Sequence, residues 1–393
     1  MNRRKLLGII LSCSLTLGLM AGCNAKKAKE PNVGKSEETI LIGANMELSG
    51  GVASFGQSMQ EGLNLAIDEV NKEGINGQKF KLVKVDNKSD AAEATNGAIK
   101  LVNQDKVVAM IGAATSTNTL AQVQIAQDNK IPLITPTGTN PAITYNKGKL
   151  NDYVFRTCFI DPFQGTVAAN FAKDELKVDS AAVLIDSASD YAKGLADAFI
   201  ETFKKNGGKI VTEEAYIAKD TDFRATLTRI KSKNPEFIFV PGYYEEVGLI
   251  LKQAREMGLD VPIMGGDGWD SPKLIEIAGA KATNNSYITN HYSSGDTDEK
   301  IQNFLKAYKD KYNGKSPDAF AALGYDTIFF LADAIKRAGS TDSEKIQKAL
   351  TETKDLELVS GVMSLDKKHN PIKAASILSY VDGELTFKTK VNP

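Results

Sequence analysis

Two groups of side chains in this 393-residue sequence could hold a small charged molecule, and they have opposite electrical character. The first lies in VVAMIGAATSTNT over residues 107–119, where Ala114, Thr115, Ser116 and Thr117 follow an apolar, β-branched run. Such a run passing through Gly112 into hydroxyls reads as a buried strand, a turn and a helix N-terminus. Hydroxyls and free backbone N–H groups at that point suit an anion, because the helix dipole favours negative charge there. The plainer reading of Ser116 or Thr117 is a helix N-cap. A second hydroxyl cluster, Thr135-Pro136-Thr137-Gly138-Thr139-Asn140-Pro141, follows another apolar segment. The group of opposite character comprises Ser189-Asp190-Tyr191, Pro241-Gly242-Tyr243-Tyr244 and Gly265-Gly266-Asp267-Gly268-Trp269-Asp270. Aromatic faces beside a carboxylate in a glycine-rich turn suit an ammonium, by ion pairing and cation–π attraction. Asp267 also reads as a simple turn-former, and Tyr243 and Tyr244 as packing between lobes. An anion site and a cation site together describe a zwitterion.

The elements that must position these groups alternate along the chain. From residue 39 a strand is followed by a helix over 59–72, the strand FKLVKVD, a helix over 91–103, a strand over 107–111, a helix over 119–127 and a strand over 131–135. The loop Met46-Glu47-Leu48-Ser49-Gly50-Gly51, followed by Phe55-Gly56, lacks the spacing of a phosphate loop, and its glycines suit a close turn near a ligand. After a pause over 137–151 the alternation resumes and continues to a strand over 286–289. This pattern predicts an α/β protein with two doubly wound parallel-sheet lobes. Two long helices over 300–312 and 319–338, a short one over 343–351, and strands near VMSL, ASILSYV and ELTFK complete the chain. The economical arrangement returns these helices to the first sheet and the last strands to the second. The chain then crosses between lobes near Cys158, Tyr292 and Val359, and three linkers flank a cleft that can close. The N-terminal lobe is 39–157 plus 291–358, and the C-terminal lobe is 158–290 plus 359–393.

Composition narrows the function. A formal net charge of -1, with no long basic block, gives no sign of a nucleic-acid partner. Two histidines and three cysteines are too few for zinc spacing or a disulfide framework, so no metal or other cofactor is expected. Cys158 beside Phe159 reads as a buried small hydrophobe. G-x-S-x-G and H-E-x-x-H are absent, and His291 and His369 read as solvated surface residues, so the chain is not expected to be an enzyme. Asn2-Arg3-Arg4-Lys5 with the apolar residues 6–20 reads as an export signal over 1–22. Leu19-Met20-Ala21-Gly22-Cys23 resembles a bacterial lipobox, with Met20 where Leu is usual, which implies lipidation at Cys23. Residues 23–38 form a polar tether. The mature chain is expected outside the cytoplasm, held to the membrane by acyl chains.

The segments ANMELSGGVASFGQSMQEGLNLAIDEVN, VNQDKVVAMIGAATST, IPLITPTGTNP, VFRT, DYAKG, GYYEEVGLILKQAREMGL and GGDGWD occur in this order. From Thr39 to the end, the chain resembles the branched-chain amino-acid (leucine/isoleucine/valine-type) binding proteins of ABC importers, with the type I periplasmic binding protein fold. The resemblance implies that the Ser116 hydroxyl and nearby N–H groups, within the cluster shared with Thr117, take a ligand carboxylate. It implies that Thr139 bonds the ligand, that the Gly138 carbonyl helps receive the ammonium, and that Asp267 is the main charge partner. Asp267 stands where the leucine-type members have Glu, one methylene longer. Phe55, Tyr191, Tyr243 or Tyr244, and Trp269 would line the side-chain pocket, with Ala114 and Thr115 at its floor. The implied function is a monomeric, lipid-anchored binding protein that captures an amino acid, branched-chain or otherwise apolar, and delivers it to an ABC permease. Binders of urea, short amides or aromatic compounds are the alternatives. A ligand-sensing module is a further one, although a span and a signalling segment are not seen before Pro393.

Overall fold

The computed structural model describes residues 39–392; the export-signal, lipobox and tether readings fall outside the described residues. The first region runs β1 (Thr39–Met46), α1 (Ala53–Glu73), β2 (Lys79–Asp86), α2 (Ala91–Asn103), β3 (Ala109–Ile111), α3 (Ser116–Asn129) and β4 (Leu133–Thr135). A two-stranded ribbon, β5 (Tyr145–Asn146) and β6 (Lys149–Leu150), fills the pause before β7 (Val154–Arg156). The strands form one parallel sheet in the order β2-β1-β3-β4-β7. β3, β4 and β7 are buried throughout, which is why they read as continuous apolar runs rather than alternating ones.

The second region runs α4 (Asp161–Asp174), β8 (Ser180–Asp186), α5 (Asp190–Lys205), β9 (Lys209–Tyr216), α6 (Arg224–Ser232) and β10 (Phe237–Phe239). It continues with α7 (Tyr244–Glu256), β11 (Ile263–Gly265), α8 (Pro272–Ala278), α9 (Ala280–Thr283) and β12 (Ser286–Asn290). Then come α10 (Glu299–Lys311), α11 (Ala319–Ala338), α12 (Ser343–Thr351), β13 (Leu356–Leu358), β14 (Gly361–Leu365), β15 (Pro371–Ile372), β16 (Ala375–Val381) and β17 (Glu384–Val391). The second sheet has the order β17-β16-β12-β11-β10-β8-β9, with β16 and β17 antiparallel. The strand expected near VMSL does not join it. β14 pairs with β13 and β15 in a separate small sheet, because strands a few residues apart close a local ribbon at low entropic cost. Helix α1 begins at Ala53, nearly two turns before the expected start, since its apolar stripe starts at Met59 while its first turn is polar and small apart from the buried Phe55.

Helix α11 returns to cover the first sheet against α1. A Cβ on Gly62 would stand 1.9 Å from the Ala321 carbonyl oxygen, so only glycine permits this helix approach. The chain crosses between sheets after β7, after β12 and before β16, and α11 ties two of these crossings. Thr157 meets Thr327 at 2.9 Å between hydroxyls, and the Asp326 carboxylate accepts from the N–H groups of Val359 and Ser360 at 2.8 and 2.9 Å. Lys373, buried before β16, donates to the Thr157 carbonyl at 3.2 Å and to the Ser360 hydroxyl. Among the described residues no helix is long and apolar enough to cross a membrane.

Candidate functional site

In each sheet the strand order reverses direction once, between β1 and β3 and between β8 and β10. Open α/β sheets bind ligands at such switch points, beyond the carboxyl ends of the strands. The loops after β3 and β4 and those after β8, β10 and β11 meet there. Together with Phe320 of α11 they enclose a small cavity of about 10 Å³, lined by Ala114, Ser116, Thr137, Phe320, Tyr191, Tyr243, Asp267 and Gly268.

The half from the first sheet is built around a carboxylate that the sequence did not single out. Glu47, fully buried after β1, accepts from Ala114 N at 2.8 Å, Thr115 N at 3.1 Å, Thr115 Oγ1 at 2.9 Å and Asn118 Nδ2 at 2.8 Å. It sits on the positive end of α3 and takes part of the anion-binding capacity expected for a ligand. Gly112, at φ 131°, makes the turn possible, since a Cβ there would lie 2.1 Å from the Asn45 carbonyl oxygen. The α3 N-cap is Thr115, whose hydroxyl accepts from Asn118 N at 3.4 Å, rather than Ser116 or Thr117. Ser116 is the first helical residue, and its Oγ accepts from Asn140 N at 3.1 Å, which leaves its own proton free to donate. The first N–H groups of α3, at Ser116 and Thr117, have no intrahelical partner by helix geometry and stand beside it.

The half from the second sheet is built on Asp267, which is 3% exposed. Its Oδ1 accepts from Gln164 Nε2 at 3.1 Å and its Oδ2 lies 2.9 Å from His291 Nε2. Gln164 is a clamp: its amide nitrogen also donates to Asp161 Oδ1 at 3.1 Å, while its oxygen accepts from Thr289 Oγ1 at 2.9 Å and Asp267 N at 3.3 Å. Burial pushes Asp161 up to about 7, and the Asp267 charge adds to this against the pull of Thr139, Gln164 and Arg156. Tyr191 accepts from Gly268 N at 3.1 Å and stacks on Tyr243 at 5.1 Å between centroids. Burial raises both phenols well above the usual tyrosine range, so each remains a donor.

Of the expected site residues, Ala114, Ser116, Tyr191, Tyr243 and Asp267 come together around the cavity. Seven others have different employment. The Gly138 carbonyl is taken by Arg156 Nη1 at 2.8 Å and Cys158 Sγ at 3.3 Å, so an ammonium would meet a guanidinium there. Thr139 is fully buried against the Asp161 carboxyl, and neither its hydroxyl nor Asp161 Oδ2 has a well-formed hydrogen bond. Trp269 is core, with Nε1 donating to the Val240 carbonyl at 3.0 Å. Phe55 stacks on Phe320 at 3.9 Å and supports the cavity wall from behind. Thr115 serves Glu47. Thr117 bridges the two halves, donating to Asp190 Oδ2 at 3.1 Å, and both threonines border an outer cleft of about 230 Å³. Tyr244 also bridges: its hydroxyl donates to the Gly51 carbonyl at 3.2 Å and accepts from Ser54 N at 3.3 Å.

The histidines are not solvated. His291 is stacked on Phe159 at 3.7 Å, and His369 on Phe155 at 4.3 Å with Nδ1 3.0 Å from the Val154 carbonyl oxygen. Cys158 is buried as expected, its thiol pushed up to about 12 by burial. The sequence did not mark Phe320, Gln164 or Asp161, which lie in helices where they look like ordinary face or first-turn residues. For Glu47 the signal was its place just past a strand end.

A cavity bounded by strand ends of two similar sheets, hydroxyls on one side and a buried carboxylate on the other, defines a two-lobed protein that binds a small solute. The chain belongs to the periplasmic binding protein family, whose model matches residues 39–384, with the type I fold. It is 32% identical over 332 residues to the leucine-, isoleucine-, valine-, threonine- and alanine-binding protein of Pseudomonas aeruginosa, covering 84% of this chain and 87% of that one. The leucine-binding protein LivK of Thermotoga maritima superposes with a TM-score of 0.86 at 37% identity, covering 90% of this chain and 99% of that one. The branched-chain amino-acid binding protein LivJ of Streptococcus pneumoniae, in complex with isoleucine, gives 0.85 at 42% identity, covering 91% and 100%. A solute-binding protein of Rhodopseudomonas palustris, in complex with 3,4-dihydroxybenzoic acid, gives 0.80 at 25% identity, covering 90% and 97%.

Proposed function

We propose that this protein captures an α-amino acid with an apolar, branched side chain between its lobes, outside the cytoplasm, and presents it to an ABC importer. The observation that carries this reading is the pairing of a donor-bearing Ser116 at a helix N-terminus with the buried, clamped Asp267 around one cavity. The carboxylate of the ligand would take the Ser116 hydroxyl and the adjoining N–H groups, and its ammonium would take Asp267. Tyr191, Tyr243, Phe320 and Ala114 offer apolar surface for the side chain. The P. aeruginosa and S. pneumoniae relatives, named for or bound to such amino acids, support the same class. An aromatic acid of the kind held by the R. palustris protein could stack on Tyr191, but it has no cation to meet Asp267.

Binding is a closure. At about 10 Å³ the cavity has room for about one water-sized sphere, so the lobes part to admit a ligand and close on it. The bridges from Tyr244 to Gly51 and from Thr117 to Asp190 join the two halves in this arrangement, so on this reading they would part when the lobes part and add to what the ligand contributes on closure. Calorimetric titration with leucine, isoleucine, valine, alanine, 3,4-dihydroxybenzoate and urea is expected to give the tightest binding with the branched amino acids. Binding of the aromatic acid or urea alone would overturn the assignment.

Cys23 is proposed as the lipidated residue after removal of 1–22, with 24–38 as the tether. Cys23→Ala is expected to move the protein from the membrane fraction to the soluble one. An unchanged membrane fraction would exclude Cys23 as the anchor.

A further inference from the structure

Asp267 is tied to a chain crossing through a histidine that the proposed ligand contacts do not use. His291 directly follows β12, so its backbone opens the second crossing while its ring lies 2.9 Å from Asp267 Oδ2. The ring is 1% exposed and stacks at 23° on Phe159, a residue of the first crossing. An ionised carboxylate only accepts, so Nε2 must carry the hydrogen in this contact. Nδ1 is buried without a partner. A second proton would have to sit there, where nothing accepts it, and would place a cation beside the position proposed for the ligand ammonium.

We propose that His291 is a positioning residue that makes ligand binding proton-dependent: neutral, it holds Asp267 toward the ammonium, and charged, it competes with the ammonium for that carboxylate. This deepens the amino-acid reading of the same site and rests on it. Ligand binding and protonation of His291 then exclude each other, and acid releases the ligand. Because His291 belongs to a crossing, the carboxylate that senses the ligand is linked directly to a segment that joins the two sheets.

The groups facing the ring agree with this. Burial is the largest influence and holds His291 below the usual imidazole value, against the hydrogen bond and charge of Asp267, while Lys373 before β16 also disfavours a charged ring. Cys158 on the first crossing is a neutral thiol and adds no charge. Beyond Asp267 lie Asp161 on α4, pushed up to about 7 by burial, and Arg156 at the end of β7. Protonation of Asp161 could also weaken ammonium binding, so it must be separated from that of His291.

Leucine and isoleucine affinity should be measured by calorimetry across the range in which imidazoles and carboxylates titrate, in buffers of different protonation heat. In the unmodified protein the affinity is expected to fall about tenfold per pH unit once the free-state ring charges, with about one proton released on binding. His291→Gln keeps a donor for Asp267 but cannot titrate. It is expected to bind within about fivefold at neutral pH, because the hydrogen bond to Asp267 is kept with altered geometry, and to lose the acid-side fall and proton release. Asp161→Asn is expected to retain both. An identical fall in His291→Gln, or a fall abolished by Asp161→Asn instead, overturns the proposal.

Should His291→Gln fail to fold, nitrogen chemical shifts of the two imidazoles in the unmodified protein give a second readout, with His369→Gln assigning them. Leucine is expected to lower the protonation midpoint of His291, and an unmoved midpoint overturns the coupling. A protein that binds no amino acid at any pH removes both this inference and the functional reading. Binding with a pH profile indifferent to His291 removes only the inference.

Discussion

Asp267→Ala is expected to weaken amino-acid binding by about 2–5 kcal/mol, roughly thirtyfold to several thousandfold in Kd. The size follows from the position of the carboxylate rather than from its charge alone. Asp267 is 3% exposed and held by Gln164 on one oxygen and His291 on the other. An ammonium brought into this site leaves its water behind, and alanine would return neither hydration nor a counter-charge. The variant also leaves Gln164 Nε2 and His291 Nε2 without that acceptor, so part of the loss is reorganisation. Asp267→Asn separates the contributions: it keeps an acceptor for one neighbour while removing the charge, and is expected to bind nearly as poorly as alanine. Calorimetry with leucine reads both variants, and a loss below about threefold for Asp267→Ala would mean that the ammonium lies elsewhere.

Glu47→Ala is expected to lower the free energy of unfolding by about 3–5 kcal/mol, measured by urea denaturation. Four donors converge on this buried carboxylate, two of them backbone N–H groups at the start of α3. Without it they lie buried and unpaired, and each unsatisfied donor costs on the order of 1–3 kcal/mol, partly recovered if water enters. Glu47→Gln offers partial rescue: its oxygen, placed where Oε1 stands, keeps the donors from Thr115 and Asn118, while its NH₂ group faces the N–H of Ala114. Ser116 sits on the turn that Glu47 holds, so ligand affinity is expected to fall with stability. A change in unfolding free energy below about 1 kcal/mol would show that water replaces the carboxylate and that the turn stands without it.

The two predictions concern residues of unequal visibility. Asp267 stood in a glycine-rich turn between aromatic residues, and an acid in such a turn after a strand can be read as a cation partner from chemistry and order alone. Glu47 lay in a glycine-rich loop after β1, but its partners belong to the loop after β3 and the first turn of α3, 67 to 71 positions along the chain. Strand periodicity places both loops at the same sheet end. It does not say which side chain crosses from one to fill the helix N-terminus of the other. For that reason the N–H groups of Ala114 and Thr115, next to the anion site expected at Ser116, are taken by a carboxylate of the protein itself.

The aromatic residues divide in the same way. Tyr243 and Tyr244 are adjacent and chemically alike in the sequence. The start of α7 turns Tyr243 toward Tyr191 and the cavity, and sends the Tyr244 hydroxyl to Gly51. The family resemblance implied that Trp269 is a pocket wall. The short helical turn at Asp267–Trp269 rotates its ring into the core instead, where its N–H finds the Val240 carbonyl.

The sequence by itself determined the alternation of strands and helices, the two sheets built on parallel strands, and the helices that return to the first. These follow from periodic burial and from residue chemistry, which are local properties. Only the tertiary structure decided that Glu47 occupies the start of α3, that Gln164 and His291 hold Asp267, and that Arg156 takes the Gly138 carbonyl. Each of these is a hydrogen bond satisfied across a long stretch of chain. A buried polar group must find a partner, but its own residue type does not say which distant group will be within 3 Å.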